Sequence, residues 1–309
     1  MRLTALTYIT CCLLACARAT SATTLPNIFF VVVDDFGWAD VGWHRSAAER
    51  QAADVRTPTM DALVAEGVEL ERHYVHMMCT PSRASFQSGR LPVHVLTQLA
   101  DPCDPNGAIP RNMTGIAAQL KKAGYATHQV GKWDAGMATP QHTPHGRGYD
   151  TSLNYFGHGN WMWTEAEWGG SQNSKGAIPA PGLIDFYDTD HPADTLNGTG
   201  YEEDLFRARM LKILRAHDPA KDGPLFLQYD SKVAHYPLEA PPAYQDKFAN
   251  ITQDNRRIYH SMVGVLDDQL ANITGEMKAL GLWDNTLPGE DFADNICSGR
   301  THHTAFAQL

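Results

Sequence analysis

The sequence has few cysteines and no strongly basic segment. Its 309 residues include 6 cysteines, and 25 Lys and Arg against 35 Asp and Glu give a net charge of −10. Because no Lys/Arg-rich run is present, the composition argues against a nucleic-acid partner or an anionic membrane surface. An anionic ligand would need a locally positive pocket. The sequence also lacks internal repeats and low-complexity tracts, and its 43% hydrophobic residues can form a large core.

Long apolar segments are missing as well, apart from a short one at the N-terminus. Arg2 precedes a mostly apolar stretch of about 14 residues, whereas a membrane span needs ~20. Small residues follow at Ala17 and Ala19, a pattern typical of a cleavage site. We interpret residues 1–19 as a secretory signal peptide, with an uncleaved anchor as the alternative, and we expect no membrane span after it.

Removal of that signal would leave three cysteines, Cys79, Cys103 and Cys297. Three is an odd number in an oxidising compartment, so at least one cysteine needs a fate other than an internal disulfide. The chain also contains Asn-x-Thr sequons, which agree with passage through a glycosylating lumen. These sequons begin at Asn112, Asn197, Asn250 and Asn272. We therefore expect a secreted or lysosomal protein.

Apolar strands alternate with helical segments along the chain. Residues 27–33 form a β-branched and aromatic run, typical of a strand buried on both faces. Further strands are predicted at 68–75, 126–132 and 225–229, and helices at 58–65, 81–88, 112–123, 201–217 and 255–280. This alternation predicts an α/β fold with a doubly wound, mostly parallel sheet flanked by helices. Residues 134–198 show little periodicity and are interpreted as an irregular binding or lid region.

Two adjacent carboxylates, Asp34 and Asp35, follow the first predicted strand. Open α/β sheets bind ligands outside the carboxyl ends of their strands. Carboxylate oxygens suit a hard cation such as Ca²⁺ or Mg²⁺. The pair is therefore a candidate metal site, although a solvated strand end or a turn is the ordinary alternative.

The most specific segment is 79–90, which reads CTPSRASFQSGR. Pro81 suits the first turn of a helix, so Cys79 is predicted at a helix N-terminus, where unpaired N–H groups and the helix dipole favour an anion. Arg83 lies one turn further on the same face. A neighbouring cation favours the thiolate form of a cysteine, so a thiolate nucleophile is physically reasonable. The alternative is a buried or disulfide-bonded cysteine.

This segment resembles the signature of sulfatases, Cys-x-Pro-Ser-Arg followed by Gly-Arg. Other segments also look like the family and extend the resemblance over most of the chain. They are Asp34-Asp35, Thr57-Pro58-Thr59-Met60-Asp61, 123–127, Gly131-Lys132-Trp133, His235-Tyr236-Pro237, 262–268 and 281–286. The resemblance implies an alkaline-phosphatase-like catalytic domain in residues 25–287.

The resemblance also implies a mechanism. In sulfatases the signature cysteine is oxidised to formylglycine during secretion. Cys79 would therefore be a substrate of a formylglycine-generating enzyme. The hydrated aldehyde, bound with Asp34 and Asp35 to Ca²⁺ or Mg²⁺, would attack the sulfur with one hydroxyl and later expel sulfate with the other. The implied activity is sulfuric ester hydrolysis on a sulfated small molecule or glycan. Conversion of Cys79 would leave Cys103 and Cys297 to pair.

Two further residues receive roles from the resemblance. Lys132, in the Gly-Lys-Trp segment, is expected to contact the sulfate, although an isolated lysine would usually be a surface residue. His235 is expected to donate a proton to the leaving alcohol. Lys232 is a further candidate for sulfate contact, with a solvated lysine as the favoured interpretation.

Two features depart from the family pattern. Sulfatases usually have a histidine where this chain has Asp134, and an ionised carboxylate accepts hydrogen bonds but repels sulfate. The family also places an Asp-Asn metal pair on the strand after a segment such as 283–286, followed by a lysine and a smaller C-terminal domain. Asp294 and Asn295 lie near that spacing and are candidate metal ligands. However, Pro288 is hostile to a central strand, so 288–309 is predicted to be an atypical tail.

These departures leave other functions open. One alternative is an inactive, C-terminally truncated glycoprotein of sulfatase fold that binds sulfated ligands. A phosphoesterase on the same scaffold is disfavoured, because it would use Ser or Thr as its nucleophile. Aromatic residues of the irregular region are expected either to stack on the leaving group or, as the favoured interpretation, to pack in the interior. They are Tyr155, Trp161, Trp163 and Trp168.

Overall fold

The computed structural model describes residues 25–46, 54–160, 186–196, 199–292 and 303–307. The strands in this part of the chain are β1 (Asn27–Val33), β2 (Val68–His73), β3 (Ala126–Lys132), β4 (Thr151–Tyr155), β5 (Tyr187–Asp188), β6 (His191–Pro192), β7 (Leu225–Ser231), β8 (Thr286–Phe292) and β9 (His303–Ala307). They form one sheet in the order β2-β9-β8-β1-β7-β3-β4-β5-β6.

The centre of this sheet is parallel. β1 pairs with β7 on one side and with β8 on the other, and β3 pairs with β7 and with β4. The outer pairings of β9 with β8 and β2, and of β5 with β4, are antiparallel. The five central strands therefore end at one edge, which we call the carboxyl edge. The predicted α/β fold with a mostly parallel sheet is confirmed.

Successive side chains of a strand point to opposite faces of the sheet, and both faces of this sheet are covered. In β1, Phe29, Val31 and Val33 contribute to one hydrophobic cluster, whereas Ile28 and Phe30 pack against a second. This arrangement explains the continuous apolar run in the sequence, because no side chain of the strand faces solvent freely.

Helices supply the opposite walls of both clusters. They are α1 (Pro58–Ala65), α2 (Cys79–Ser88), α3 (Ile116–Lys122), α4 (Glu202–Ala216), α5 (Pro219–Asp222), α6 (Pro242–Lys247) and α7 (Asp254–Ala279). Met210 of α4 and Leu266 of α7 lie in the first cluster, and Ala84 of α2 and Ala117 of α3 lie in the second. The doubly wound arrangement follows. Among the helices of the described ranges, none has the length and apolarity to cross a bilayer.

Most element bounds agree with the sequence prediction. β1, β3 and α1 match it, and α7 differs by one residue at each end. The helix predicted at 112–123 is shorter, because Gly115 takes the N-cap position with extended backbone and the helix begins after it.

The prediction that Pro288 interrupts the last strand is wrong. Residues Thr286–Phe292 form β8, which pairs in parallel with β1 along its whole length. The ladder between β8 and β9 begins only at Gly289, so the missing N–H of Pro288 breaks no bond to that neighbour. The prediction of irregular structure throughout 134–198 is also wrong where β4 pairs with β3.

Candidate active site

Four of the predicted site residues meet at the carboxyl edge. Asp34 and Asp35 directly follow β1, and Cys79 is the first residue of α2. Ligand atoms of these three residues and a ring nitrogen of His235 all lie within 4.8 Å of one another. Asp34 and Cys79 are buried, whereas Asp35 and His235 are partly exposed. The fold thus brings together three segments that are far apart in the sequence.

Cys79 lies at a helix N-terminus, as its sequence context predicts. The helix begins at Cys79 itself, and Pro81 takes the third position, where a missing N–H needs no intrahelical acceptor. The thiol sulfur lies 3.7 Å from Oδ1 of Asp34. The helix dipole favours a negative charge at this point.

Lys132 lies at the centre of the site instead of on the surface. It is the last residue of β3, and its side chain has no exposed area. Its ammonium group donates to Oδ2 of Asp34 at 2.6 Å and lies 3.7 Å from Oδ2 of Asp134. Lys132 therefore places a buried positive charge beside the carboxylate of Asp34. Its contact with a sulfate stays a prediction.

Arg83 links α2, the helix that begins at Cys79, to the sheet. Its buried Nη1 donates to the carbonyl oxygen of Lys132 at 2.9 Å and to Oδ1 of Asp230 at 3.3 Å. Asp230 belongs to β7 and also accepts from Nε2 of Gln129 at 2.8 Å. These bonds fix α2 against the ends of β3 and β7, and therefore fix Cys79 at the carboxyl edge.

Asp134 is enclosed by hydrogen-bond donors. The residue is 1% exposed, and its φ of 44° shows that β3 does not continue through it. Its Oδ1 accepts from Oγ1 of Thr80 at 2.9 Å and lies 2.9 Å from Nδ1 of His158. The carboxylate that was expected to repel sulfate is therefore paired inside the protein.

His158 was missed in the sequence, because the surrounding segment was interpreted as irregular. It lies three residues after Tyr155, the end of β4. A histidine just past a strand that pairs in parallel with β3 would have been a site candidate. The mixed polar and apolar sequence of β4 concealed that strand.

The favoured interpretation of Lys232 as a solvated lysine is wrong. Its side chain has no exposed area, and Nζ donates to the carbonyl oxygen of Pro237 at 3.3 Å. Burial lowers the pKa of Lys232 to about 8, and the nearby charge of Glu202 acts in the opposite direction. Lys232 is thus a buried cation behind His235.

Tyr155 packs in the interior, as favoured, and belongs to the first hydrophobic cluster. Other predictions fall on residues outside the described ranges and stay predictions. These residues are Trp161, Trp163, Trp168, Asn197, Asp294, Asn295 and Cys297. The remaining sequon residues, Asn112, Asn250 and Asn272, are all exposed.

The donor set fits a divalent cation. The carboxylates of Asp34 and Asp35 lie side by side, and their oxygens are the ligands that Ca²⁺ and Mg²⁺ prefer. A thiolate is a softer ligand than these cations select. Oxygen at the Cys79 position, as in a hydrated formylglycine, would complete an all-oxygen set with Asp34 and Asp35.

Comparison with known proteins assigns the fold to the alkaline-phosphatase-like α/β class. The sequence profile described as Sulfatase matches residues 26–287, and the chain belongs to the sulfatase family. It is 35% identical over 272 residues to arylsulfatase J of Mus musculus, covering 87% of this chain and 42% of that protein. It is 27% identical over 283 residues to N-acetylgalactosamine-6-sulfatase of Homo sapiens, covering 87% of this chain and 50% of that one.

Solved structures agree with this assignment. The crystal structure of Ps i-CgsB in complex with k-i-k-neocarrahexaose superposes with a TM-score of 0.76 at 25% sequence identity, over 93% of this chain and 66% of that one. The chain thus spans about half the length, or somewhat less, of the curated relatives named above.

Proposed function

We propose that residues 25–287 form the catalytic domain of a sulfuric ester hydrolase that uses formylglycine made from Cys79 and a bound divalent cation. The observation that carries this proposal is the cluster of Asp34, Asp35, Cys79 and His235 at the carboxyl edge, with ligand atoms within 4.8 Å. A sulfate ester is anionic, and the buried Lys132 gives the site positive charge in a protein of net charge −10.

Each residue has a role that its position supports. Asp34 and Asp35 hold the cation together with the residue at position 79. Lys132 binds a sulfate oxygen from beneath the site, and Arg83 positions α2 through its bonds to Lys132 and Asp230. His235 is partly exposed at the mouth, with Nε2 3.7 Å from Oδ2 of Asp35, and donates a proton to the leaving alcohol.

Two groups absent from the unmodified chain supply the remaining chemistry. A divalent cation offsets the charge of the sulfate and favours ionisation of a hydroxyl group. A formylglycine made from Cys79 would supply, as its hydrate, the hydroxyl groups needed for attack on sulfur and for release of sulfate. The protein contributes a buried, preorganised set of charges, which is worth more than the same charges in water.

The names of the relatives support a substrate class. They include an arylsulfatase and an N-acetylgalactosamine-6-sulfatase, and one solved relative was crystallised with a carrageenan oligosaccharide. We propose a sulfated glycan or a sulfated small molecule as substrate. Its leaving group would enter past His235, beside the exposed side chain of Tyr236.

We further propose passage through the secretory pathway, to the cell exterior or a lysosome. The apolar segment in 1–19, the exposed sequon residues and the need for a formylglycine-generating enzyme support this route. Asp294 and Asn295 remain candidate metal ligands, and Cys103 and Cys297 a candidate disulfide.

The test is secretion of the full chain from a eukaryotic host, with mass spectrometry of the Cys79 peptide and an assay with a chromogenic aryl sulfate. We expect the aldehyde at position 79 and metal-dependent hydrolysis. Cys79→Ala should abolish hydrolysis, whereas the matched control Cys103→Ala should retain it. Hydrolysis that survives in Cys79→Ala would overturn the proposed nucleophile. A formylglycine-bearing protein that binds sulfate but turns over neither aryl sulfates nor sulfated disaccharides would instead be the non-catalytic alternative.

A further inference from the structure

We propose that His158 is a further substrate-contacting residue of this site, which donates a hydrogen bond from Nε2 to a sulfate oxygen, and that Asp134 is its positioning residue. The inference deepens the proposed sulfatase function and rests on it. It follows from the contacts of the segment around His158 with Thr80 and with His235, and from the hydrogen bonds that hold the ring.

One side of His158 faces the nucleophile helix. Oγ1 of Thr80, the residue after Cys79, lies 3.5 Å from Nδ1 of His158, and both groups lie within 2.9 Å of the same oxygen of Asp134. The three side chains of Thr80, Asp134 and His158 therefore form a compact group. This group is joined to Cys79 through Thr80, the next residue in the chain. All three are at most 6% exposed.

The other side of the same segment faces His235. Gly159 lies so close to that ring that an added Cβ would be 3.3 Å from Cε1 and 3.4 Å from Nδ1 of His235. It would also be 3.2 Å from the carbonyl oxygen of Tyr236. The segment after β4 thus passes directly between Thr80 and His235.

The hydrogen bonding of His158 fixes which nitrogen can act on a ligand. An ionised Asp134 only accepts hydrogen bonds, so Nδ1 of His158 carries the proton that is donated to it. Within the part of the chain that the structure describes, Nε2 has no protein partner. Nε2 is therefore the ring nitrogen left to face a ligand, and a hydrogen bond from it to an anionic sulfate oxygen is charge-assisted.

Asp134 contributes through the ring and not by contact with the ligand. Its Oδ1 is occupied by Thr80 and His158, and its Oδ2 lies 3.7 Å from the ammonium group of Lys132. A carboxylate that orients an imidazole through Nδ1 is a common arrangement in hydrolytic sites, because it fixes both the proton position and the ring orientation. The pair His158 and Asp134 therefore adds a donor to the sulfate pocket without adding net charge.

The first experiment measures binding, using inorganic sulfate as the probe on the full chain. In ¹⁵N-histidine-labelled protein, we expect the Nε2 resonance of His158 to shift on sulfate addition. Exposed His94 is the internal reference and should not shift. Saturating sulfate that leaves the His158 resonances unmoved would overturn the proposal. This measurement needs no variant, so it stands even if substitutions at His158 impair folding.

The second experiment separates His158 from a merely structural pair. His158→Ala should weaken sulfate affinity roughly tenfold and lower kcat/KM roughly 10²-fold. His158→Gln, which keeps a side-chain N–H donor, should recover part of the loss. Asp134→Asn should also lower kcat/KM, but in the double variant it should add little to the loss from His158→Ala, since it acts through the ring.

The outcomes distinguish this proposal from the proposed function. A wild-type protein that binds sulfate through His158 but does not hydrolyse sulfate esters contradicts the hydrolase function and leaves the binding role in place. An active wild type, with His158→Ala within twofold of it in both sulfate affinity and kcat/KM, contradicts the role of His158 alone. Losses from Asp134→Asn and His158→Ala that multiply in the double variant contradict the positioning role of Asp134.

Discussion

The ammonium group of Lys132 lies 2.6 Å from Oδ2 of Asp34, and neither side chain has exposed surface. Lys132 ends β3 and Asp34 follows β1, so the pair joins two strands that are separated in the sheet by β7. A buried pair of this kind gains little over apolar packing, but removal of one partner leaves a buried charge uncompensated. The same Asp34 is a proposed metal ligand, so a bound cation and Lys132 would share one carboxylate.

This pair predicts a metal-dependent stability effect. Lys132→Met should lower the free energy of unfolding by about 3 kcal/mol in the presence of a chelator, because the buried carboxylate of Asp34 loses the positive charge of Lys132. Saturating Ca²⁺ should reduce that loss, since the cation takes over the compensation. Urea denaturation under both conditions measures the difference.

The control for Lys132 is an exposed pair of the same composition. Lys121 and Asp150 lie 2.5 Å apart, with 52% and 34% of their side chains exposed. Lys121→Met should cost less than ~1 kcal/mol and show no dependence on Ca²⁺. An equal loss for Lys132→Met with and without Ca²⁺ would mean that no cation binds beside Asp34.

The bond between Arg83 and Asp230 predicts a larger structural loss. Both side chains are completely buried, and Asp230 also accepts from Gln129 and Gln228. Asp230→Ala should lower the free energy of unfolding by roughly 3 to 5 kcal/mol, because the buried guanidinium loses its counter-charge. Exposed Asp284 is the matched control, and Asp284→Ala should stay within about 0.5 kcal/mol of wild type. Similar effects of the two substitutions in urea denaturation would contradict the structural role of this pair.

Much of the sheet could be predicted from the sequence, because its central strands are strongly patterned. The bounds of β1 follow from an apolar run that ends at two charged residues, Asp34 and Asp35. In contrast, β4 has the sequence TSLNY, and its polar side chains are buried. Oγ of Ser152 donates to Oδ1 of Asn154 at 3.0 Å, so the strand places a polar contact inside the fold. A hydrophobicity pattern does not detect such a strand.

The site was predictable in part for a related reason. Asp34 and Cys79 are recognisable from local features, namely a strand end and a helix start. Lys132 was singled out only by the resemblance to sulfatases, because an isolated lysine would usually be a surface residue. The contact between Asp134 and His158, and the burial of Lys232, depend on which strands become neighbours in the sheet. Those long-range relationships have no local sequence signal. Without them, Asp134 is only a departure from the family pattern, a carboxylate that would repel sulfate.

A side chain added at Gly131 should disturb the pairing of β3 with β7. The φ of Gly131 is 108°, and an added Cβ would lie 2.0 Å from the carbonyl oxygen of Asp230 in the neighbouring strand. Gly131→Ala should therefore destabilise the protein by more than ~3 kcal/mol, and it should displace Lys132 from Asp34. Gly275 is the matched control, because it is an exposed residue of α7 with nothing within 4 Å of an added Cβ. Gly275→Ala should stabilise by about 0.5 to 1 kcal/mol through helix propensity. Thermal unfolding of both variants checks the pair, and a Gly131→Ala protein as stable as wild type would contradict the close strand contact.

His128 lies near the start of β3, at the end opposite to Lys132. We expect it to make the stability of the protein depend on pH. Its Nδ1 lies 2.8 Å from Oγ1 of Thr151. Burial lowers the pKa of His128 to about 4, with Asp150 acting to raise it and His217 to lower it. The folded state therefore resists protonation, whereas the unfolded chain takes up a proton near the ordinary histidine pKa of ~6.5.

The sign follows from this difference. Above pH ~6.5 the ring is neutral in both states and stability is fully present, and stability falls as the pH is lowered from ~6.5 towards ~4. Between pH 7 and 5 the contribution should amount to about 2 kcal/mol. His128→Gln does not titrate, so its free energy of unfolding should decrease by about 2 kcal/mol less than that of wild type over this interval. Exposed His94 gives the control, because His94→Gln should retain the wild-type pH dependence. Urea denaturation at the two pH values measures this difference. An equal decrease in the free energy of unfolding of wild type and His128→Gln would mean that His128 takes up a proton in the folded state as readily as in the unfolded chain.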